Sequence, residues 1–269
     1  MTQQCTDPVA FPTIECLMVT LPAPGRFNFA QRSIDDYCRQ TYPNKKLTLV
    51  LDHGSETARQ TLCDHVTSLR RDDIRIISPE KKLNLGELRN LSVDTATAEI
   101  ICQWDDDDRS HPERLEAQVK VLQTMRLDAV YFQDLMQYFP SAGTLYWTNW
   151  RATPAGGHPG TLMARRSAVL RYPTEGGSAK LGEDLAQALA LKERGRVGYV
   201  ADMAHLFVYV SHGANSWNDD HHRMLTNELS ISKGLLKKRE ALIREGLAPY
   251  SFASKTTTLL GSNGPAFVL

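Results

Sequence analysis

The sequence predicts an α/β fold, a mostly parallel, doubly wound sheet flanked by helices. Three observations carry that expectation. In the first half, short apolar runs of strand length alternate with helical stretches, the pattern of parallel strands joined by crossover helices. Pro- and Gly-containing breakers close the runs where a strand must hand over to a loop. Asp52 and an aspartate run at Asp105–Asp108 both follow strand-like segments, at the carboxyl ends where open sheets of this class bind ligands.

The elements follow in order. ECLMVTL is an apolar run ended by PAPG, hence a buried strand. FNFAQRSIDDYCRQ spaces Phe29, Ile34, Tyr37 and Cys38 as one helix face and stops at TYPN. KLTLVLDHGS is a strand that delivers Asp52 to a turn. A helical stretch then runs to Arg70, DIRIIS is the next strand, LGELRNLSVDTAT a helix and AEIICQW a strand. From Asp128 the pattern changes: DAVYFQDLMQYF and GTLYWTNW read as strands joined by a PSAG turn. GEDLAQALALKERG is a helix offering Leu185, Ala188, Leu189 and Leu191 to a core and closing at Gly195. RVGYV and HLFVYVSHG are strand-like, and a charged helical region runs from His222 to Arg244. The Gly/Ser/Thr-rich tail from Leu247 is left open.

The 269 residues suffice for one large α/β domain or two small ones. Lys plus Arg equals Asp plus Glu at 31 each, so no global field draws in nucleic acid or an anionic membrane, and no nucleic-acid partner is expected. MTQQCTDPVAFP lacks a basic region followed by an apolar one, so no signal peptide is expected. No apolar run long enough for a transmembrane helix is present either. The five cysteines, Cys5, Cys16, Cys38, Cys63 and Cys102, form no C-x-x-C pair and fit reduced thiols in a cytosolic protein.

ICQWDDDDRSHPERLEAQ is the segment that demands an explanation. In an extended segment alternate side chains share a face, so Asp105 and Asp107 would point together and Asp106 away. Carboxylates held that close raise each other's pKa unless a cation lies between them. A hard divalent ion, Mg²⁺ or Mn²⁺, removes the repulsion, and Mg²⁺ sites use one or two carboxylates plus the phosphates of a substrate. A nucleoside diphosphate is therefore expected here. The plainer reading is an acidic turn that favours the N-terminus of the next helix, with Pro112 at its first position and Glu113 in its first turn. That accounts for one or two acids, hardly for four. An EF-hand fits poorly, because Arg109 stands at the third ligand position and Ser110 at the turn glycine.

These residues carry a resemblance. CQWDDDDRSHPERLEAQ resembles the D-x-D-D…H-P-x-x-L-x-x-Q segment of family 2 glycosyltransferases, which have the GT-A fold. RQTYPNKKLTLVLDHGS resembles that family's Q-T-Y-P-n…v-V-D-D-G-S stretch, and NLGELRNLSVDTATAEII its G-x-x-x-A-R-N…A-x-G-e-y-I segment. GEDLAQALAL resembles the E-D motif, and VYVSHGANSW a common ending in which a histidine follows a strand. The five matches stand in the family's order along most of the chain.

The resemblance implies one GT-A domain over 1–269, with a Rossmann-like central sheet: a nucleotide-binding half at 13–127, an acceptor-side half at 128–246 and a tail at 247–269. It implies a metal-dependent, inverting transfer of a sugar from a nucleotide-diphosphate sugar, UDP-sugar favoured, to a hydroxyl of a saccharide or lipid-linked acceptor, in surface polysaccharide or glycolipid synthesis. The expected cofactor is Mn²⁺ or Mg²⁺. The expected location is cytoplasmic, with peripheral membrane contact left open.

By the same resemblance Asp52 accepts a hydrogen bond from the donor's nucleobase, although an Asp there also caps the next turn; His53 stands where the family often has a second aspartate. Asp105 and Asp107 match the metal-associated D-x-D: Asp107 coordinates the ion, and Asp105 lies on the ion or the donor ribose. Asp106 faces solvent or the nucleotide rim, and Asp108 supports the loop. Arg89 matches the A-R-N arginine, with Leu88 in the alanine's place, and contacts the diphosphate or orders the aspartates; as a plain residue it is a surface arginine. Pro22 and Arg26 of TLPAPGR align with P-T-Y-N-R in the donor-binding first loop, with Pro24 and Gly25 replacing the Tyr-Asn pair. Asp184 is the general base and Glu183 its neighbour, although acids at a helix start are favoured electrostatically in any case. His212 is a third metal ligand, a diphosphate contact or a structural histidine. Trp147, Trp150 and Trp217 offer flat faces to sugar rings or fill the core. Asp219–His222 reads as the polar opening of the last helix.

Two other readings remain. A sugar-nucleotide pyrophosphorylase needs a glycine-rich, basic phosphate loop after the first strand, and LPAPGRFN is not one. A catalytically silent sugar- or nucleotide-binding module has no need to keep both the aspartate run and GED.

Overall fold

The computed structural model describes residues 11–179, 181–252 and 256–269; Cys5 lies outside them. The first half alternates as expected through β1 (Ile14–Thr20), α1 (Phe27–Cys38), β2 (Lys45–Leu51), α2 (Glu56–Ser68), β3 (Ile74–Ile77), α3 (Leu85–Thr95) and β4 (Ile100–Gln103). β1 and β4 are buried almost throughout, as strands covered on both faces must be. Next come β5 (Arg109–Ser110), α4 (Arg114–Thr124), β6 (Ala129–Phe132), β7 (Asp134–Phe139), β8 (Thr144–Asn149) and β9 (Met163–Arg165). α5 (Glu183–Arg194), β10 (Val197–Val200), β11 (Phe207–Val210), α6 (Asp219–Leu229), α7 (Lys233–Lys238), α8 (Glu240–Leu247) and the pair β12 (Thr258–Gly261) and β13 (Gly264–Val268) complete the order.

The strands form two sheets. The first, seven-stranded, has the order β10-β6-β9-β4-β1-β2-β3. Its neighbours pair in parallel except at β9, which runs antiparallel to both β4 and β6. This is the expected doubly wound sheet, with one reversed strand that three residues of sequence could not announce. The second sheet, six-stranded and mixed, has the order β13-β12-β8-β7-β11-β5. Its existence was not legible, because DAVYFQDLMQYF reads as one strand. The chain changes sheets at Gln133, whose N–H donates to Val200 O (2.9 Å) and whose carbonyl accepts from Trp150 N (2.7 Å). β6 therefore joins the first sheet and β7 the second.

Other boundaries shift for local reasons. α4 begins at Arg114 with Glu113 as its N-cap, so Pro112 and Glu113 lead into the helix instead of forming its first turn. α1 buries Ala30, Ser33, Ile34, Asp36 and Tyr37, leaving Phe29 and Cys38 at its margin. The charged region expected as one helical stretch from His222 to Arg244 divides among three helices, α6 to α8, the second capped by Ser232 on Leu235 N. In the tail, β12 pairs parallel with β8 and antiparallel with β13. The main core, including Ile34, Tyr37, Leu49, Trp104, Leu115 and Phe132, joins the first sheet to α1, α2 and α4. None of the helices, over the described residues, is long and apolar enough to cross a membrane.

Candidate active site

The aspartate run links the two sheets. β4 ends at Gln103 in the first and β5 starts at Arg109 in the second, so the intervening residues bend and do not stay extended. Alternation of faces fails there, and each carboxylate takes its own partner. Both flanks are anchored. Trp104 donates its ring N–H to Ser33 O (3.1 Å), and Ser33 Oγ donates to Asp105 O (2.7 Å). Arg114, fully buried between the rings of Trp104 and Phe207 at 4.8 Å each, donates to Gln103 O (2.8 Å) and Ser110 Oγ (2.9 Å). One guanidinium thus clamps the start and the end of the loop.

Asp105 is held by Arg89 Nη2 (2.7 Å) and by Gln103 Nε2 (3.1 Å). Arg89 is buried, not a surface arginine, and its Nε also reaches Glu183 Oε1 (3.4 Å). Its position follows from α3: a capping box between Asn84 and Glu87 fixes the helix start, and Asn90 exchanges hydrogen bonds with the Tyr172 backbone on the opposite face. Gly86 is required there, because a Cβ would fall 1.9 Å from Pro173 O.

Asp106 is 5 % exposed: of the two places expected for it, solvent or the nucleotide rim, it is not at solvent but lines the cleft described below. It accepts from Thr20 Oγ1 and from Arg26 Nη2 (2.8 Å). Burial, then the neighbouring Asp107, push its pKa up to about 6 against the pull of Arg26. Asp107 accepts from the same Arg26 Nη2 (3.2 Å), and its Oδ2 lies 3.0 Å from His212 Nε2. Burial opposes its ionisation, but the His212 hydrogen bond and the Arg26 charge outweigh this and hold it below the usual carboxylate range. Asp108 accepts from Val210 N (2.9 Å), supporting the loop as expected; burial and the flanking aspartates push its pKa well up.

β5 pairs antiparallel with β11, Arg109 opposite Val208. That register carries the chain end after Val210 back alongside Asp107, and the His212 ring stacks on Phe29 of α1 at 4.3 Å. Of the expected metal set, Asp107 and His212 converge. Asp105 does not join them, because Arg89 holds it, and no group of three His, Cys, Asp or Glu ligands occurs among the described residues. Two protein ligands suit an ion completed by phosphate oxygens and water.

A cleft of about 360 Å³ gathers these groups at the carboxyl ends of β1, β2 and β4. Asp52, Arg26, Arg89, all four aspartates, Glu183 and Asp184 line it. His212 does not line this cleft and reaches it through Asp107. Pro22 sits behind the wall, its carbonyl accepting from Ser55 N (2.8 Å). Gly54 is obligatory beside it, since a Cβ there would lie 2.1 Å from Pro22 O. Asp184 is the second residue of α5, whose N-cap Gly182 adopts the left-handed conformation at φ +85°. Burial first, then Glu183, push its pKa up to about 6, with Arg89 opposing.

A second cleft, of about 290 Å³, adjoins the first and shares His158, Gly182, Asp184, Tyr209 and Trp217 with it. Trp150 and Trp217 line it, whereas Trp147 is buried with its ring N–H on Asp134 (2.8 Å). His221 and His222 open α6 as expected and also face this cleft. The sequence reading missed His158 and Tyr209. The HP pair in GGHPG was a signal for the first; nothing distinguishes Tyr209 from a core residue of a strand.

The sequence profile of glycosyl transferase family 2 matches residues 19–171, more than half of the 269. The chain belongs to glycosyl transferase family 2. Within the family, it is 28% identical over 109 residues to the amylovoran biosynthesis glycosyltransferase AmsB of Erwinia amylovora, covering 40% of this chain and 36% of that protein. It is 28% identical over 130 residues to the uncharacterized glycosyltransferase MJ1057 of Methanocaldococcus jannaschii, covering 46% and 43%. Both matches span less than half the relative's length. Among solved structures, the fold matches S. aureus TarS 1-349 in complex with UDP-GlcNAc at TM-score 0.57 and 13% identity, covering 87% of this chain and 66% of that one. It matches the mannosyltransferase PcManGT of Pyrobaculum calidifontis, in complex with GDP-Man and Mn²⁺, at TM-score 0.59 and 15% identity, covering 88% and 66%. The family 2 chain has the GT-A fold expected of it.

Proposed function

We propose that the chain is a metal-dependent, inverting glycosyltransferase that moves a sugar from a nucleotide-diphosphate sugar to an acceptor hydroxyl. The observation that carries this is the position of Asp184 where two clefts meet, one rich in carboxylates and arginines and one largely apolar. A donor in the first and an acceptor in the second would bring the anomeric carbon and the attacking oxygen together beside one carboxylate.

Asp107 and His212 would hold Mn²⁺ or Mg²⁺. When bound, the ion supplies charge neutralisation for the departing diphosphate. Arg89 Nη1 is buried without a hydrogen-bond partner among the described residues, leaving a donor for a phosphate oxygen. Asp52 at the end of β2 suits the imide N–H of uracil, which favours a UDP-sugar. Asp184 takes the proton of the acceptor hydroxyl, the oxygen bonds to the anomeric carbon, and the carbon–diphosphate bond breaks from the opposite face, inverting the configuration. Glu183, tied to Arg89, keeps that arginine beside Asp105 and the reaction centre.

The structural relatives solved with UDP-GlcNAc and with GDP-Man and Mn²⁺ support a nucleotide-sugar donor and a divalent ion. The likeness to the amylovoran biosynthesis glycosyltransferase AmsB supports a biosynthetic role; a part in surface polysaccharide or glycolipid synthesis, on the cytoplasmic side and with a saccharide or lipid-linked acceptor, rests on the family resemblance alone. The test is a thermal-shift and hydrolysis screen of UDP-, GDP- and other nucleotide sugars with and without Mn²⁺. Metal-dependent stabilisation by one nucleotide is expected; no stabilisation under any metal condition overturns the proposal.

A further inference from the structure

The two clefts differ in charge. The donor cleft carries Arg26 and Arg89 among its carboxylates. The second cleft has no Lys or Arg among its described lining residues, and Asp184 is its one carboxylate there. Its walls are Trp150, Leu185, Leu225, Trp217 and prolines. Leu185 and Trp217, each 40% exposed, both face this cleft and leave apolar surface open on its wall. The other polar groups are few: Gln137, Thr153, Tyr209 and three histidines. His158, at the seam between the clefts, leaves a buried Nδ1 without a hydrogen-bond partner among the described residues. Burial first, then His222 and Arg114, hold its pKa down at about 3, so the ring is an uncharged hydrogen-bonding group.

We infer that the second cleft is the acceptor subsite and takes an uncharged sugar residue, its reacting hydroxyl on Asp184, its apolar face against Trp150, Leu185 and Trp217, and a further hydroxyl on His158. This rests on the reading of Asp184 as the base. A uronate or phosphate beside that carboxylate would be desolvated with no cation to compensate it. A neutral pyranose meets the site on its own terms, since its C–H face packs on aromatic rings while its hydroxyls reach the few polar groups.

The experiment uses the full chain with a donor found in the nucleotide screen. Acceptors are p-nitrophenyl glycosides of neutral hexoses and the matching uronides and 6-phosphates. The inference expects kcat/KM for at least one neutral glycoside to exceed its charged counterparts tenfold or more. Leu185→Arg and Leu225→Arg, both lining the second cleft alone, should shrink that preference at least fivefold while nucleotide affinity stays within twofold. Preference for a charged glycoside, transfer to no glycoside while donor is hydrolysed, or an unchanged preference in both variants overturns the inference with the donor site intact. Loss of nucleotide binding by the unaltered chain would overturn the donor assignment itself, and this inference with it.

Discussion

His212 Nε2 lies 3.0 Å from Asp107 Oδ2, although 105 residues of chain separate the two. The antiparallel register of β5 on β11 places them together, and Phe29 braces the imidazole. If the pair holds a divalent ion, Asp107→Asn and His212→Ala should each weaken nucleoside diphosphate binding in Mn²⁺ by about 10–100-fold, the usual loss when a ligand shell is damaged. Calorimetric titration should show little change without metal. Equal losses with and without Mn²⁺ would point to a merely structural pair.

Asp184 has its pKa pushed up to about 6 by burial and Glu183. A base must be unprotonated, so transfer should fall as pH drops through about 6, with an acid limb in kcat. Asp184→Asn should lose about 10²–10⁴-fold in kcat and bind donor as before. The stability sign is opposite to that of a salt-bridged carboxylate. The folded pKa lies above the unfolded one, so the group costs stability as pH rises from about 4 to about 6. Asp184→Asn should therefore melt no lower than the parent chain at pH 7.5, by calorimetry.

Arg89 is shared by Asp105 and Glu183 in a buried setting. Arg89→Ala would leave both carboxylates without their cation and should cost about 3–5 kcal/mol in denaturant unfolding. Arg89→Lys keeps the charge but not the planar fork, and should recover part of the stability and little of the donor affinity.

Gly54→Ala tests the donor loop from behind. The added Cβ would sit 2.1 Å from Pro22 O, against rigid backbone. A cost of about 1–3 kcal/mol is expected from overpacking, together with weaker nucleotide binding as the Pro22–Arg26 loop is pushed aside. Unchanged binding would separate that loop from the donor site.

Much of this was legible in the sequence because chemistry-bearing residues sit at strand ends, where a period-two or period-3.6 pattern stops. Asp52 and the aspartate run were found that way, Asp184 through the resemblance of GED to the family's E-D motif, and the structure gathers them around one cleft. Pairing partners were not legible. Asp106 was expected at solvent or the nucleotide rim, and its contact with Arg26, 80 residues away and dependent on where α1 starts, carried no signal. Asp105 was expected on the ion or the donor ribose; Arg89, expected at the diphosphate or on the aspartates, holds it. The second sheet escaped because a single residue, Gln133, separates β6 from β7, too short a gap to announce a change of sheet.

If Asp107 and His212 grip an ion that in turn holds the donor's diphosphate, anomalous diffraction from a crystal grown with Mn²⁺ and UDP will locate it. A manganese peak in contact with both side chains and with the diphosphate is expected. Nucleotide bound in the cleft with no ion at that pair, or an ion bound elsewhere, would contradict it.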